Sequence, residues 1–325
     1  MKRFLPLVLL LVMASLSTFA ASDRATREGK GLVEQAEIKT NIFELPSFQM
    51  KASVRVENKG KPVDGSYILL WNGPDRWREE IILPGYSEVK VGSKGVVSLK
   101  RSTGFIPVPI DQLHRTLSYG YAPLAPEATE VIKEVHDRKR NGVKVECVEI
   151  AAQNKNTREV CVDGSTGALV RQSPFLDREP MPVGTKLFPR FLSYVENGKP
   201  LDEVQVTELT TTEQLPSSAF EPPVGAVSKP GCINPNPVRL IKKVSPSYLE
   251  AERQSHVEGT VAIYAVIGTD GIPHELRIVS GVTPGLNKAS LDAVQQWRYE
   301  PARCAGIAVD VETVMTVNYS LIPNF

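Results

Sequence analysis

From Phe48 onward, apolar and polar side chains alternate in short runs. "FQMKASVRVENKGKPVDGSYILLWNG" and "RWREEIILPGYSEVKVGSKGVVSLKR" are rich in β-branched and aromatic residues, which predicts strands. Turn signals stand at Asn58-Lys59-Gly60, at Asp64-Gly65, at Pro84-Gly85 and between Gly92 and Gly95. Upstream, "ATREGKGLVEQAEIKTNIF" places Leu32, Val33, Ala36 and Ile38 on one side of a helix. Further helices are expected at "PIDQLHRTLSYG" and at "PEATEVIKEVHDRKRNG"; the second ends on basic residues and Gly142, as helix C-termini do. Strands resume at "VKVECVEIA", "TREVCVDG", "ALVRQSP" and "LDEVQVTELTTTEQ".

The pattern then breaks. "EPPVGAVSKPGCINPNPVRL" is dense in Pro, Gly and Asn, too irregular for helix or strand, and sets a linker at 223–240. Beyond it, Ser245 is placed to cap a helix with Pro246 in its first turn. "GTVAIYAVIGTDGIPHELRIVSGV" predicts two strands joined at Gly268-Thr269-Asp270-Gly271. "PGLNKASLDAVQQW" repeats apolar residues at helical spacing. That helix is expected to run through Trp297-Arg298-Tyr299 and to break at Pro301. In the final strand Val311, Thr313, Met315, Val317, Tyr319 and Leu321 point one way; Glu312, Val314, Thr316, Asn318 and Ser320 point the other. The order helix, strand, strand, helix, strand predicts a small antiparallel sheet with two helices on one face. The whole chain reads as α+β.

Composition adds less. A chain of 325 residues with formal charge +1 has room for about two domains and lacks the basic footprint of nucleic-acid binding. The N-terminus says more. Lys2 and Arg3, the apolar run Phe4–Val12 and "MASLSTFAAS" have the form of a secretory signal peptide over 1–21, cleaved after Ala20 or Ala21. The alternative is an uncleaved inner-membrane anchor, for which the run is short. Export makes the four cysteines candidates for disulfides. Cys147 and Cys161 lie equally far from Asn154; a hairpin tip there would set them opposite each other. Cys232 and Cys304 remain and are expected to bond, tying the linker to the corner before the last strand.

The C-terminal residues carry a resemblance. Pro246 and Tyr248, then Gly259 and Val261, the Asp270-Gly271 turn, and Trp297-Arg298-Tyr299-Glu300-Pro301-Ala302 follow in the order of the TonB family's C-terminal domain, over about 240–323. The resemblance implies a non-enzymatic module that adds a partner's extended segment beside its last strand, the partner being an outer-membrane transporter. Here that edge would comprise Val311, Thr313, Val314, Met315, Thr316, Val317 and Asn318. Energy-transducing members keep an anchor and a long Pro/Lys/Glu-rich spacer. This chain has a cleavable-looking leader, no such spacer, and Leu249 where the family has a second proline. Residues 22–222 resemble in rhythm the LolA/LolB lipoprotein carriers. That implies a curved antiparallel half-barrel with helices, followed by the α-β-β-α-β domain at 241–325. It also implies an alternative function as a periplasmic lipid or lipoprotein carrier, with an acyl ligand among Tyr67, Trp71, Trp77 and Tyr86.

Catalytic chemistry finds no support. His114, His136, His256 and His274 have no neighbour at metal-ligand spacing, and Cys-x-x-Cys, Gly-x-Ser-x-Gly and phosphate-loop motifs are missing from the sequence. No cofactor is expected. "DGSTG" at 163–167 reads as a turn.

Overall fold

The structure is a computed structural model. It describes residues 26–321 apart from 122, 123, 127–129, 141, 153–156, 173, 174, 197 and 214. The expected leader and Asn154 fall outside the described residues. The chain divides into two compact units. One holds the described residues up to Glu44 with Tyr119–Val206; the other holds Leu45–Ser118 with the described residues from Thr207. The class is α+β, and among the described residues every strand pairing is antiparallel.

In chain order, helix α1 covers 26–40. Strands β1 (Phe48–Asn58), β2 (Lys61–Trp71), β3 (Arg76–Leu83), β4 (Tyr86–Ser93) and β5 (Val96–Arg101) follow, then α2 (Val108–Leu117). Next come β6 (Glu130–Arg140), β7 (Val143–Ala152), β8 (Thr157–Asp163), β9 (Leu169–Gln172), β10 (Phe175–Val183), β11 (Lys186–Glu196), β12 (Lys199–Pro200) and β13 (Asp202–Thr211). The C-terminal part has β14 (Val227–Pro230), β15 (Arg239–Lys242), α3 (Glu250–Gln254), β16 (Gly259–Ile267) and β17 (Pro273–Ser280). It ends with α4 (Pro284–Val294), β18 (Arg298–Glu300), β19 (Ala302–Cys304), β20 (Ile307–Val309) and β21 (Val311–Tyr319).

In the first unit, α1 buries Gly29, Val33, Ala36 and Thr40, one per helical turn. A Cβ on Gly29 would press on Ile132, Val135 and Val148, so the glycine lets α1 lie close to β6 and β7. Ile38, expected on the buried side, is 57% exposed. The predicted helix over 126–142 is instead β6, paired with β7 from Glu130↔Ala152 to Arg140↔Val143. Its Glu, Lys and Arg residues favour helix, but pairing along a whole neighbouring strand overrides that weak preference. Cys147 and Cys161 face each other in the β7–β8 register and are bonded, as the hairpin symmetry required. Asp163 accepts the amides of Ser165 and Thr166, which closes the expected turn.

In the second unit the strands run in the order β14-β5-β4-β3-β2-β1. No turn forms at Asp64-Gly65; β2 passes through it, with Asp64 opposite Arg55 and Gly65 opposite Val54. Gly65 is there for close approach, because a Cβ would lie 2.3 Å from the Ile82 carbonyl oxygen. The linker is not irregular throughout either. Val227–Pro230 pairs with β5, and Arg239–Lys242 pairs with β18. The proline is tolerated because β14 is an edge strand.

The C-terminal segment builds the expected small sheet, in the order β17-β16-β21. Val261, Ile263, Ala265 and Ile267 of β16 pack with Leu286 and Val294 of α4, Trp297, Met315, Val317 and Tyr319. Thr283 caps α4 by accepting the Leu286 amide at 3.1 Å. Two expectations change. Helix α3 starts at Glu250, not after Ser245, and buries none of its residues, so α4 alone is the covering helix. The Tyr248 hydroxyl, bonded to the Val257 carbonyl, holds the segment before α3 extended. Helix α4 ends at Val294, and Arg298–Glu300 is already a strand because β15 pairs with it.

Candidate functional site

The edge of β21 is the feature to which the sequence motifs lead. β21 pairs with β16 without a register break, from Gly259↔Tyr319 to Ile267↔Val311. Along such a ladder, successive residues turn their N–H and C=O alternately toward the neighbour and away from it. The Val314 N–H does not meet β16; it donates to Asp111 Oδ1 at 3.0 Å. By the same alternation Glu312, Thr316 and Asn318 also turn their backbone groups outward. Val311, Thr313, Met315 and Val317 are committed to β16. Of the seven expected edge residues, Val314, Thr316 and Asn318 therefore turn main-chain groups away from β16, and the Val314 N–H is already taken by Asp111. The others supply side chains or sheet bonds.

Among the described residues, no strand pairs with the C-terminal half of this edge. Thr316 and Asn318 are exposed. Beside them is a groove of about 380 Å³ lined by Lys243, Pro246, Tyr248, Trp297, Val317 and Tyr319. Of the family-motif residues, Pro246, Tyr248 and Trp297 line it; Arg298, Tyr299 and Pro301 do not. Trp297 is 5% exposed and its indole N–H donates to the Val244 carbonyl at 2.8 Å. The Tyr248 ring meets the Tyr319 ring edge to face at 5.2 Å. Lys243 lies 5.5 Å from the Trp297 ring centre, a cation–π contact. Arg298 donates back to the Trp297 carbonyl at 2.7 Å, and Tyr299 reaches Met315 Sδ at 3.5 Å. Burial raises the Tyr299 hydroxyl to about 12, so it stays a neutral donor. Pro301 separates β18 from β19 and lets the chain turn. Cys304 closes onto Cys232, the expected second pair.

The N-terminal half of the edge is covered. Asp111, in the first turn of α2, is 8% exposed; besides Val314 it accepts from Arg115 at 2.9 Å. Glu312 pairs with Arg101 and accepts from the Tyr264 hydroxyl at 3.0 Å. Phe105 packs edge-on against Tyr264, and the Arg277 guanidinium lies over the Phe105 ring, 5.1 Å from its centre. Ala262, Tyr264 and Val266 are buried as well, so from Val261 onward β16 is buried on both faces, while Thr260 stays exposed.

Arg101 joins this edge to a buried ionic cluster. Glu88, 2% exposed, accepts from Tyr86 at 2.8 Å and lies 2.8 Å from His114 Nε2 and 3.0 Å from Lys90. Burial alone would raise the Glu88 carboxyl, but Lys90 and His114 outweigh it and hold it well below the usual range. Burial would likewise lower Lys90, and the Glu88 and Glu79 carboxylates raise it instead. Trp77 lies between two cavities of about 220 and 280 Å³. The other three aromatics expected on a cavity are core residues with satisfied polar tips: Tyr67 on Glu79, Trp71 on the Leu45 carbonyl, Tyr86 on Glu88. Asp111, Glu88 and Arg101 escaped sequence reading, and the sequence marks His114 only as lacking a metal-ligand neighbour; no local motif marks a contact such as that of Asp111 with Val314, made across 203 residues.

Comparison with known proteins agrees with the motif reading. Residues 244–321 match the family model of the Gram-negative bacterial TonB protein C-terminal domain. The chain is similar to Protein TonB of Vibrio cholerae, with 27% identity over 113 residues, 34% of this chain and 46% of that protein. It thus spans about half the length of the curated relative it matches. The solution structure of the Pseudomonas aeruginosa TonB C-terminal domain aligns at 18% identity and TM-score 0.24, over 27% of this chain and 90% of that one. A LolA-superfamily protein from Nitrosomonas europaea aligns at 10% identity and TM-score 0.38, over 61% and 97%. On the family-model match, residues 244–321 are TonB-like. Among the described residues, no helix is long and apolar enough to cross a membrane.

Proposed function

We propose that this chain is a non-enzymatic periplasmic protein that binds a protein partner by strand addition on β21. Residues 241–325 are the docking domain, residues 22–222 the carrier-type domain, and the partner is an outer-membrane transporter of the TonB-dependent kind. The observation that carries this reading is the outward edge at Thr316 and Asn318 beside the groove of Tyr248 and Trp297. Main-chain bonds to a free strand edge supply affinity, and the adjoining pocket selects a side chain. Two disulfides suit an oxidising compartment reached by export.

The test is retention of an identified β-barrel transporter from outer membranes on the immobilised full chain. Thr316→Pro removes one outward N–H and no bond to β16, so it should abolish retention while leaving the fold intact. Equal retention by the variant, or none by the parent, rejects the reading. A second reading, a lipid carrier with a docking module, is favoured by the mostly apolar residues around the two Trp77 cavities. Native mass spectrometry of the purified chain without any bound lipid would count against it.

A further inference from the structure

The docking edge of β21 is already half occupied by the chain itself. We propose that Asp111 and α2 act as an internal latch that competes with a partner strand for the N-terminal half of β21. The inference rests on the docking reading and adds its regulation.

The geometry is that of a partner strand's first contact. A strand added to β21 would place a carbonyl oxygen in front of the Val314 N–H. Asp111 Oδ1 stands there, 3.0 Å from the nitrogen. A carboxylate is a stronger acceptor than a peptide carbonyl, since one partner is charged. Its position is fixed rather than fortuitous: Arg115 holds the other carboxylate oxygen from one helical turn later. Ile110 and Leu113, 3% and 0% exposed, hold α2 in place. Two residues upstream on the edge, Glu312 is held by Arg101 and Tyr264. Glu312 and Val314 are thus fastened to this chain's own α2 and β5, while Thr316 and Asn318 are left open.

The consequence is graded docking. A short segment can pair at Thr316 and Asn318 with the latch in place. A segment that pairs along all of β21 must displace Asp111, and α2 must give way. The latch therefore weakens long strand addition and leaves short addition unaffected.

The experiment uses the full chain as wild type, Asp111→Ala and Asp111→Asn. It reads backbone amide exchange by NMR, and anisotropy with a labelled peptide of residues 311–319 as a long strand probe. In Asp111→Ala the Val314 amide should exchange about tenfold or more faster, the factor for losing one hydrogen bond to a charged group. Met315 and Val317, bonded to β16, should keep their protection, and the peptide should bind several-fold tighter. Asp111→Asn keeps a side-chain oxygen in place and should stay near wild type in both readings. Unchanged Val314 exchange in Asp111→Ala overturns the latch. A freed Val314 with unchanged peptide affinity overturns the competition, yet leaves docking at Thr316 and Asn318 standing. A freed Val314 with no peptide binding by any variant rejects docking on β21 itself. If Asp111→Ala does not fold, Arg115→Ala loosens the same carboxylate and should shift both readings in the same direction by less; no shift in either overturns the latch.

Discussion

The indole of Trp77 lies against Gly92 of the neighbouring strand. A Cβ at Gly92 would stand 2.1 Å from Trp77 Cε2 and Nε1. The glycine is therefore a space requirement of the tryptophan, which is 1% exposed. Gly92→Ala should destabilise the protein by about 1–3 kcal/mol through overpacking. Urea unfolding should show a lower midpoint, and the double variant Trp77→Phe/Gly92→Ala should recover part of the loss.

Glu88→Gln removes the one carboxylate shared by Lys90, His114 and Tyr86. Breaking a buried ionic group on one side costs about 3–5 kcal/mol. The carboxyl lies below its ordinary range in the folded state, so its contribution is present above the unfolded value, about pH 4.3, and is lost as pH falls through the folded value. Denaturant melts across the acid range should show this loss in wild type and a smaller one in Glu88→Gln.

Asp177 behaves in the opposite sense. Burial raises its carboxyl to about 7, against the pull of the Tyr119 hydrogen bond at 2.8 Å and of Arg171. Between about pH 4, where the unfolded carboxyl titrates, and about pH 7, the folded state holds the extra proton. Stability should therefore fall as pH rises through that window. Asp177→Asn should flatten the slope in thermal melts taken at steps of pH.

The disulfides differ in loop length. Cys232–Cys304 spans 72 residues and Cys147–Cys161 spans 14. Chain entropy assigns about 4 and about 3 kcal/mol to loops of these sizes. Cys232→Ala/Cys304→Ala should lower the chemical midpoint more than Cys147→Ala/Cys161→Ala. Non-reducing peptide mapping of the parent should recover both linked peptides.

Local pattern made much of this legible. The symmetric spacing of Cys147 and Cys161 about Asn154 was enough to set a register, because an antiparallel hairpin has constant index sums. Trp297 could be read as an anchor from its place after an apolar helical stripe. Residues 130–140 misled, since Glu, Lys and Arg suit a helix and only the presence of β7 makes them a strand. Asp64-Gly65 misled because close approach to Ile82 and a tight turn both require glycine. The contact of Asp111 with Val314 lay beyond local reading: it depends on how α2 meets β21, and nothing in "PIDQLHR" signals a distant amide.

The Cys232–Cys304 bond also decides how the molecule carries a pull. Tension entering through β14 reaches Cys232 and crosses the sulfur bridge to Cys304, seven positions before β21 begins. The 72-residue excursion that contains β16, β17 and α4 is bypassed. Force on a strand docked at β21 would then pass back to Cys304 and through one covalent link, leaving the β16–β21 ladder off the line. The small sheet is mechanically a side loop on a short, stiff line.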